Sequence, residues 1–217
     1  MNKNIIYCTN IHSIRDLEHA VNNINHMNML FNYPKIFMVS NGIEPIAPLG
    51  ENVCYRKFQT CESYQLGPSN SVFNCLRMAA EQIENPEEYN VIYTHPDLYI
   101  RDMDVVNSLL DELEHYDFIC RNYVGADWRG EDYKKLWAGK HYYMTEDTLI
   151  SGRVLHRFKS LEHEYFKTED IFLCGIHEIS FADVIDNVLK LNVKKIDIEV
   201  NGELEINEMG FYHDHKH

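Results

Sequence analysis

The sequence predicts an α/β domain, with a single mixed, mostly parallel sheet flanked by helices. Three observations carry that expectation. Short β-branched and aromatic runs of strand length alternate with longer segments whose apolar residues recur at helical spacing. Turn-forming residues punctuate the junctions, as in Ser40-Asn41-Gly42 and Asn85-Pro86. No internal repeat, low-complexity segment or Gly/Ser-rich linker divides the chain, and 217 residues suffice for one sizeable core.

The elements follow in order. Residues 5–8 form a short apolar strand that ends at Thr9-Asn10. Ser13-Ile-Arg-Asp16 then has the form of a capping box, with Asp in place of the usual Glu. Behind it Ile14, Leu17, Val21, Ile24, Met27 and Leu30 mark one face of a helix. Residues 35–39 are a second strand, and residues 52–58, NVCYRKF, a third. After Leu66-Gly67-Pro68-Ser69 comes a helix with Val72, Cys75, Leu76, Ala79 and Ile83 on one face; it ends near Pro86, which cannot propagate a helix. A strand at 91–93, a helix at about 104–115 and a strand at 117–120 complete a β-α-β-β-α-β-α-β order.

The remainder is less regular. Residues 123–147 are rich in Tyr, Trp, Gly and charge and show little periodicity, which reads either as a functional loop or as an aromatic surface cluster. A helix carrying Phe181, Val184, Ile185, Val188 and Leu189 leads into a strand-like alternation at 193–200. The chain ends in Phe211-Tyr-His-Asp-His-Lys-His217, where a frayed tail and a ligand-bearing segment are both open readings.

Composition excludes several functions. A net charge of −14 argues against nucleic acid as a partner, which calls for a basic face. No run of about 18 apolar residues predicts a transmembrane helix. The basic residues are scattered rather than clustered for an anionic membrane surface, although peripheral membrane contact stays open. The six cysteines are far apart and form no CxxC pair, so they read as reduced thiols of a cytoplasmic protein rather than zinc ligands or disulfides.

Parallel sheets bind ligands beyond the carboxyl ends of their strands. Here those ends read Thr9-Asn10, Ser40-Asn41 and, in the stretch NVIYTHPDLYI at 90–100, His95-Pro96-Asp97. Taken by themselves, the last three residues are either a polar turn or a metal or ligand site. The stretch GPSNSVFNCLRMAAEQIENPEEYNVIYTHPD, 67–97, resembles the helix and metal-bearing strand of nucleotide-sugar glycosyltransferases of the A-type fold, and the order of parts over about residues 4–122 is similar to that family. His-Pro-Asp stands where the family carries Asp-x-Asp.

The resemblance implies a nucleotide diphosphate sugar as donor, Mn²⁺ or Mg²⁺ as cofactor, and a glycan or other hydroxyl acceptor, in surface glycan or polysaccharide synthesis. It implies that residues 1–122 are the donor-binding half of one domain and 123–217 its acceptor-binding and C-terminal half. Asp97 would coordinate the metal on the donor diphosphate, joined by His95 in place of the first Asp and by His213 or His215 as late ligand. Thr9, Asn10 and Asn41 would hydrogen-bond the base and ribose, and Asn70 would line the opposite wall. Glu178 or Asp170 would be the catalytic base. Trp128, Trp137 and Tyr142 are candidates to stack on a sugar ring, core packing being the other reading. Two further functions remain open. Twelve histidines with the HxD and HDH clusters suit a metal-dependent hydrolase. Replacement of an Asp by His95 suits a catalytically silent relative that binds a glycan or a protein.

Overall fold

A computed structural model describes residues 3–45, 49–58, 67–124, 141–161, 177–198 and 206–214. Its main sheet has seven strands in the order β3-β2-β1-β4-β7-β6-β8, where β1 is Asn4–Ile11, β2 Lys35–Asn41, β3 Val53–Phe58, β4 Tyr89–Thr94, β6 Phe118–Tyr123, β7 Tyr143–Ser151 and β8 Val193–Ile198. Every strand runs in one direction except β7, which pairs antiparallel with both β4 and β6. Two short strands, β5 (Leu98–Ile100) and β9 (Phe211–His213), pair antiparallel in a second, small sheet.

Helix α1 (Ile14–Phe31) begins as its sequence predicts. The Ser13 hydroxyl accepts from the Asp16 amide at 3.1 Å, and the Asp16 carboxylate accepts from the Ser13 amide at 2.8 Å. It ends where Asn32 turns into the left-handed region at φ 51°, its N–H bonding the Asn28 carbonyl. Helix α3 (Met103–Glu112) is capped by Asp102, whose carboxylate accepts from the amides of Asp104 and Val105.

Alternate residues along the strands face opposite layers. Ile6, Cys8, Val91 and Tyr93 pack with α2 (Gly67–Gln82) and the short helices Leu155–Lys159 and His177–Asp183. Tyr7, Ile92 and Ile119 pack on the other face with Ala20, Ile24 and Met27 of α1 and with Val106, Leu109 and Leu110 of α3. The sheet is therefore buried on both sides, the condition under which parallel strands read as near-continuous apolar runs.

Three expectations change. Strand β1 runs on through Ile11, so Thr9 and Asn10 lie inside it, Thr9 in register with both Met38 and Thr94. Strand β2 likewise takes in Ser40 and Asn41. The ladder does not stop at these residues because the backbone pairing continues past them, and the side chains of Asn10 and Ser40 have interior partners. The third change is larger: the 123–147 segment is not a loop throughout. Its end enters β7, a central strand with Tyr143 wholly buried, and Tyr142, just before the strand, is 2% exposed. Tyr142 packs with Met144, Ile179 and Ile198, so core packing is its role; Trp128 and Trp137 lie outside the described residues. The strand escaped sequence reading because Glu146-Asp147 break its apolar pattern. No described helix is long and apolar enough to cross a membrane.

Candidate donor site at the end of the first and fourth strands

The order β3-β2-β1-β4 places a topological switch point between β1 and β4. The chain leaves β1 through α1 on one face to reach β2, and leaves β3 through α2 on the other face to reach β4. The crevice beyond the carboxyl ends of such a pair is where open α/β sheets accept ligands. In this protein those ends carry Asn10 and His12 from β1 and Tyr93, His95 and Asp97 from β4 and the turn that follows.

Pro96 and Asp97 form a tight turn closed by the Leu98 N–H on the His95 carbonyl at 3.2 Å. The chain then pairs with β9, and this pairing brings the late histidine back: His213 Nε2 lies 2.8 Å from Asp97 Oδ2. The two side chains are 30% and 32% exposed, so the pair sits at the rim of the interior and is open to a ligand. Burial alone would raise the Asp97 carboxyl, but the hydrogen bond and charge of His213, with His95 behind it, hold it below the usual carboxylate range. Burial opposes charging of His213, yet the Asp97 carboxylate raises the imidazole above its ordinary value, aided by Glu146.

The turn that delivers His213 is fixed from below. The Asn207 side-chain carbonyl accepts from the amides of Met209 (3.0 Å) and Phe211 (3.1 Å), and its amide donates to Asp147 Oδ2 at 2.6 Å. Asp147 is fully buried and also takes the Arg121 Nε–H at 2.9 Å, while Arg121 reaches Glu146 at 3.2 Å with its second arm. A lone buried charge would be untenable; here each has a hydrogen-bonded partner. Gly210 adopts φ +84° in the same turn, and a Cβ there would lie 2.7 Å from the Asp102 carbonyl.

The remaining residues singled out in the sequence are placed as follows. Thr9 is wholly buried, and Asn10, 1% exposed, accepts from the Tyr93 hydroxyl at 2.9 Å and bonds His12 Nε2 at 2.5 Å. Burial, followed by the neighbouring His95 imidazole, lowers the His12 pKa, with Asp16 opposing. His95 Nε2 is buried and meets no hydrogen-bond partner among the described residues, and the ring stands edge-on to Tyr93. Asn70, 5% exposed, lies in the first turn of α2. Glu178, 9% exposed, lies in the first turn of the helix His177–Asp183. Its charge reaches Tyr123, whose hydroxyl is raised first by burial and then by Glu146, with Glu178 and Glu208 adding to it against Arg121. The side chain of Asn41, and Asp170 and His215 entirely, lie outside the described residues.

Asp97 and His213 are thus brought together, and no group of three or more potential metal-ligating side chains forms among the described residues. A carboxylate and an imidazole side by side are competent donors for a divalent ion that takes the rest of its shell from a ligand and water. The structure adds residues that sequence reading missed: His12, Arg121, Glu146, Asn207 and, on α1, Asn23. Arg121 had a visible signal, a charge inside the apolar run FICRNY.

Comparison with protein-family models and with curated proteins returns no match. Among solved structures, the galactosyltransferase LgtC in complex with donor and acceptor sugar analogs is similar over 88% of this chain and 72% of its own, with 14% identity and a TM-score of 0.53. A putative glucose-1-phosphate thymidylyltransferase from Bacillus anthracis is similar over 89% of this chain and 87% of its own, at 10% identity and TM-score 0.53. The 4-diphosphocytidyl-2C-methyl-D-erythritol synthase from Anaerococcus prevotii covers 95% and 94%, at 10% identity and TM-score 0.52. The chain has the A-type fold of the nucleotide-sugar transferases, a mixed, mostly parallel sheet flanked by helices.

Proposed function

We propose that the protein is a glycosyltransferase that moves a sugar from a nucleotide diphosphate sugar to an acceptor hydroxyl. The observation that carries the reading is the apposition of Asp97 and His213 at the β1/β4 switch point. A divalent cation held there by Asp97 and His213 would neutralise the charge that develops on the leaving nucleoside diphosphate. The chain's own residues do the rest. His12 lines the wall at the end of β1, where its imidazole can donate and accept to a base or ribose, and Asn10, buried behind it, holds the ring. Asn207 and the Arg121–Asp147 pair hold the His213 strand in place. Residues 1–122 supply the donor half and 123–217 the acceptor half, with Glu178 the candidate to take a proton from an acceptor hydroxyl.

Binding of UDP, GDP and CDP, each with Mn²⁺, measured by calorimetry and thermal shift, tests the reading. One of them should bind, and Asp97→Ala should abolish the metal-dependent part. Silence toward all three would remove it.

A second reading, nucleotidyl transfer to a sugar phosphate, draws on the fuller coverage of the two nucleotidyltransferase structures, 87% and 94% of their chains against 72% for the galactosyltransferase. Release of pyrophosphate from a nucleoside triphosphate in the presence of a sugar 1-phosphate, without turnover of any nucleotide sugar, would select it.

A further inference from the structure

Asn23 stands in the apolar face of α1, among Ala20, Ile24 and Met27, and is 1% exposed. Asparagine is a modest helix former, and burying its amide in such a face is unfavourable unless the amide is hydrogen-bonded. Its hydrogen bonds all go to one place. Nδ2 donates to the Pro96 carbonyl at 3.2 Å and to the Leu98 carbonyl at 2.6 Å, while Oδ1 is buried and meets no partner among the described residues. The side chain therefore holds both carbonyls that flank Asp97, although its own acceptor goes unused.

The turn has few other anchors. Pro96 has no N–H to offer. The Asp97 carbonyl accepts from the Asp214 amide at 2.9 Å, and the His95 amide donates to the Glu146 carbonyl at 2.7 Å. Asn23 thus holds the two outer carbonyls of three in succession, and the segment that carries His213 holds the middle one. The Asp97 carboxylate bonds His213 and also accepts from its own main-chain amide. A leucine at position 23 would fill similar space but leave two carbonyls without a donor.

We infer that Asn23 is the positioning residue for Asp97, acting through the main chain of the His95-Pro96-Asp97 turn to set the carboxylate against His213 for a metal-bound nucleoside diphosphate. The inference rests on the donor-site reading above. Its test has two arms, run on Asn23→Ala and Asn23→Leu, so that a folding failure in one leaves the other. Met27→Ala, one turn along the same helix face, is the control for general loosening. The first arm follows the imidazole nitrogen and proton resonances of His213 by NMR without metal or nucleotide. Both Asn23 variants should move them toward their position in Asp97→Asn, and Met27→Ala should not. The second arm measures Mn²⁺-dependent affinity for the nucleoside diphosphate that the wild type binds, which should weaken about tenfold or more, the usual range for residues behind a metal ligand.

Unmoved His213 resonances, or an equal change in Met27→Ala, would overturn the inference. So would moved resonances with unchanged affinity. If the resonances move as expected but the wild type binds no metal–nucleotide complex, the donor-site reading falls and the placing of Asp97 by Asn23 stands.

Discussion

Replacing Asn207 with alanine should cost the fold about 3 kcal/mol. The figure follows from three hydrogen bonds: two neutral ones, to the amides of Met209 and Phe211, and one to the buried Asp147 carboxylate. Neutral bonds contribute about 1 kcal/mol each and a bond to a charged group about 1.5–3; the low end applies because Asn207 is itself only half-buried. The amides left behind belong to residues that are 0% and 1% exposed, so water replaces the lost partner poorly. Urea denaturation, with midpoint and slope fitted together, measures the loss. Asn207→Asp sharpens the test. It keeps the acceptor for both amides but sets a second carboxylate against Asp147, so near neutral pH it should be at least as destabilising as alanine. Its deficit should shrink as the pH falls and the added carboxyl takes up a proton. A loss under about 1 kcal/mol in Asn207→Ala, or an Asn207→Asp deficit that grows on acidification, would refute the account of this turn as a hydrogen-bonded latch.

Two other perturbations follow from the same geometry. The Asp97–His213 pair should contribute roughly 1 kcal/mol, since both side chains are about a third exposed and screened by solvent. With Asp97 lowered and His213 raised, the contribution is fullest between the ordinary values of about 4 and 6.5. It is lost as the pH rises through the raised His213 value, and also as it falls through the depressed Asp97 value. The stability difference between wild type and His213→Gln should therefore narrow from pH 6 toward pH 9, and widening would refute it. Gly152→Ala should destabilise by about 3 kcal/mol or more, seen as a large fall in the thermal midpoint, because its Cβ would lie 1.8 Å from the Pro86 carbonyl and 2.4 Å from that of Tyr89, both rigid backbone. A midpoint near that of the wild type would mean that the Pro86–Tyr89 segment yields.

Much of the first half of the chain was legible because its signals are local. The capping box at Ser13, the apolar face of α1, the proline that stops α2 and the parallel strands are written in adjacent residues, and each appears where it was expected to within a few positions. The polar residues at 9–10 and 40–41 misled the placing of strand ends, since a sheet tolerates a polar side chain in its interior when a neighbouring strand satisfies it, as Tyr93 does for Asn10. Strand β7 was missed for a related reason: its Asp147 is paired by Arg121 and Asn207, residues 26 and 60 positions away in the chain.

By itself, then, the sequence determined the fold class and the order of elements in the first half, and it marked His95-Pro96-Asp97 as a polar break after the fourth strand, because hydrophobic period and turn chemistry are properties of neighbouring residues. It did not decide between a turn and a ligand site there; the structure shows a turn whose carboxylate is held for pairing. That Asp97 faces His213 rather than His95 is a product of tertiary structure alone, since the two residues are 116 positions apart and meet only through the β5–β9 pairing. Long-range pairing has no local trace in sequence, and the amides of Asn23 and Asn207 that hold its two sides read, before folding, as ordinary polar residues.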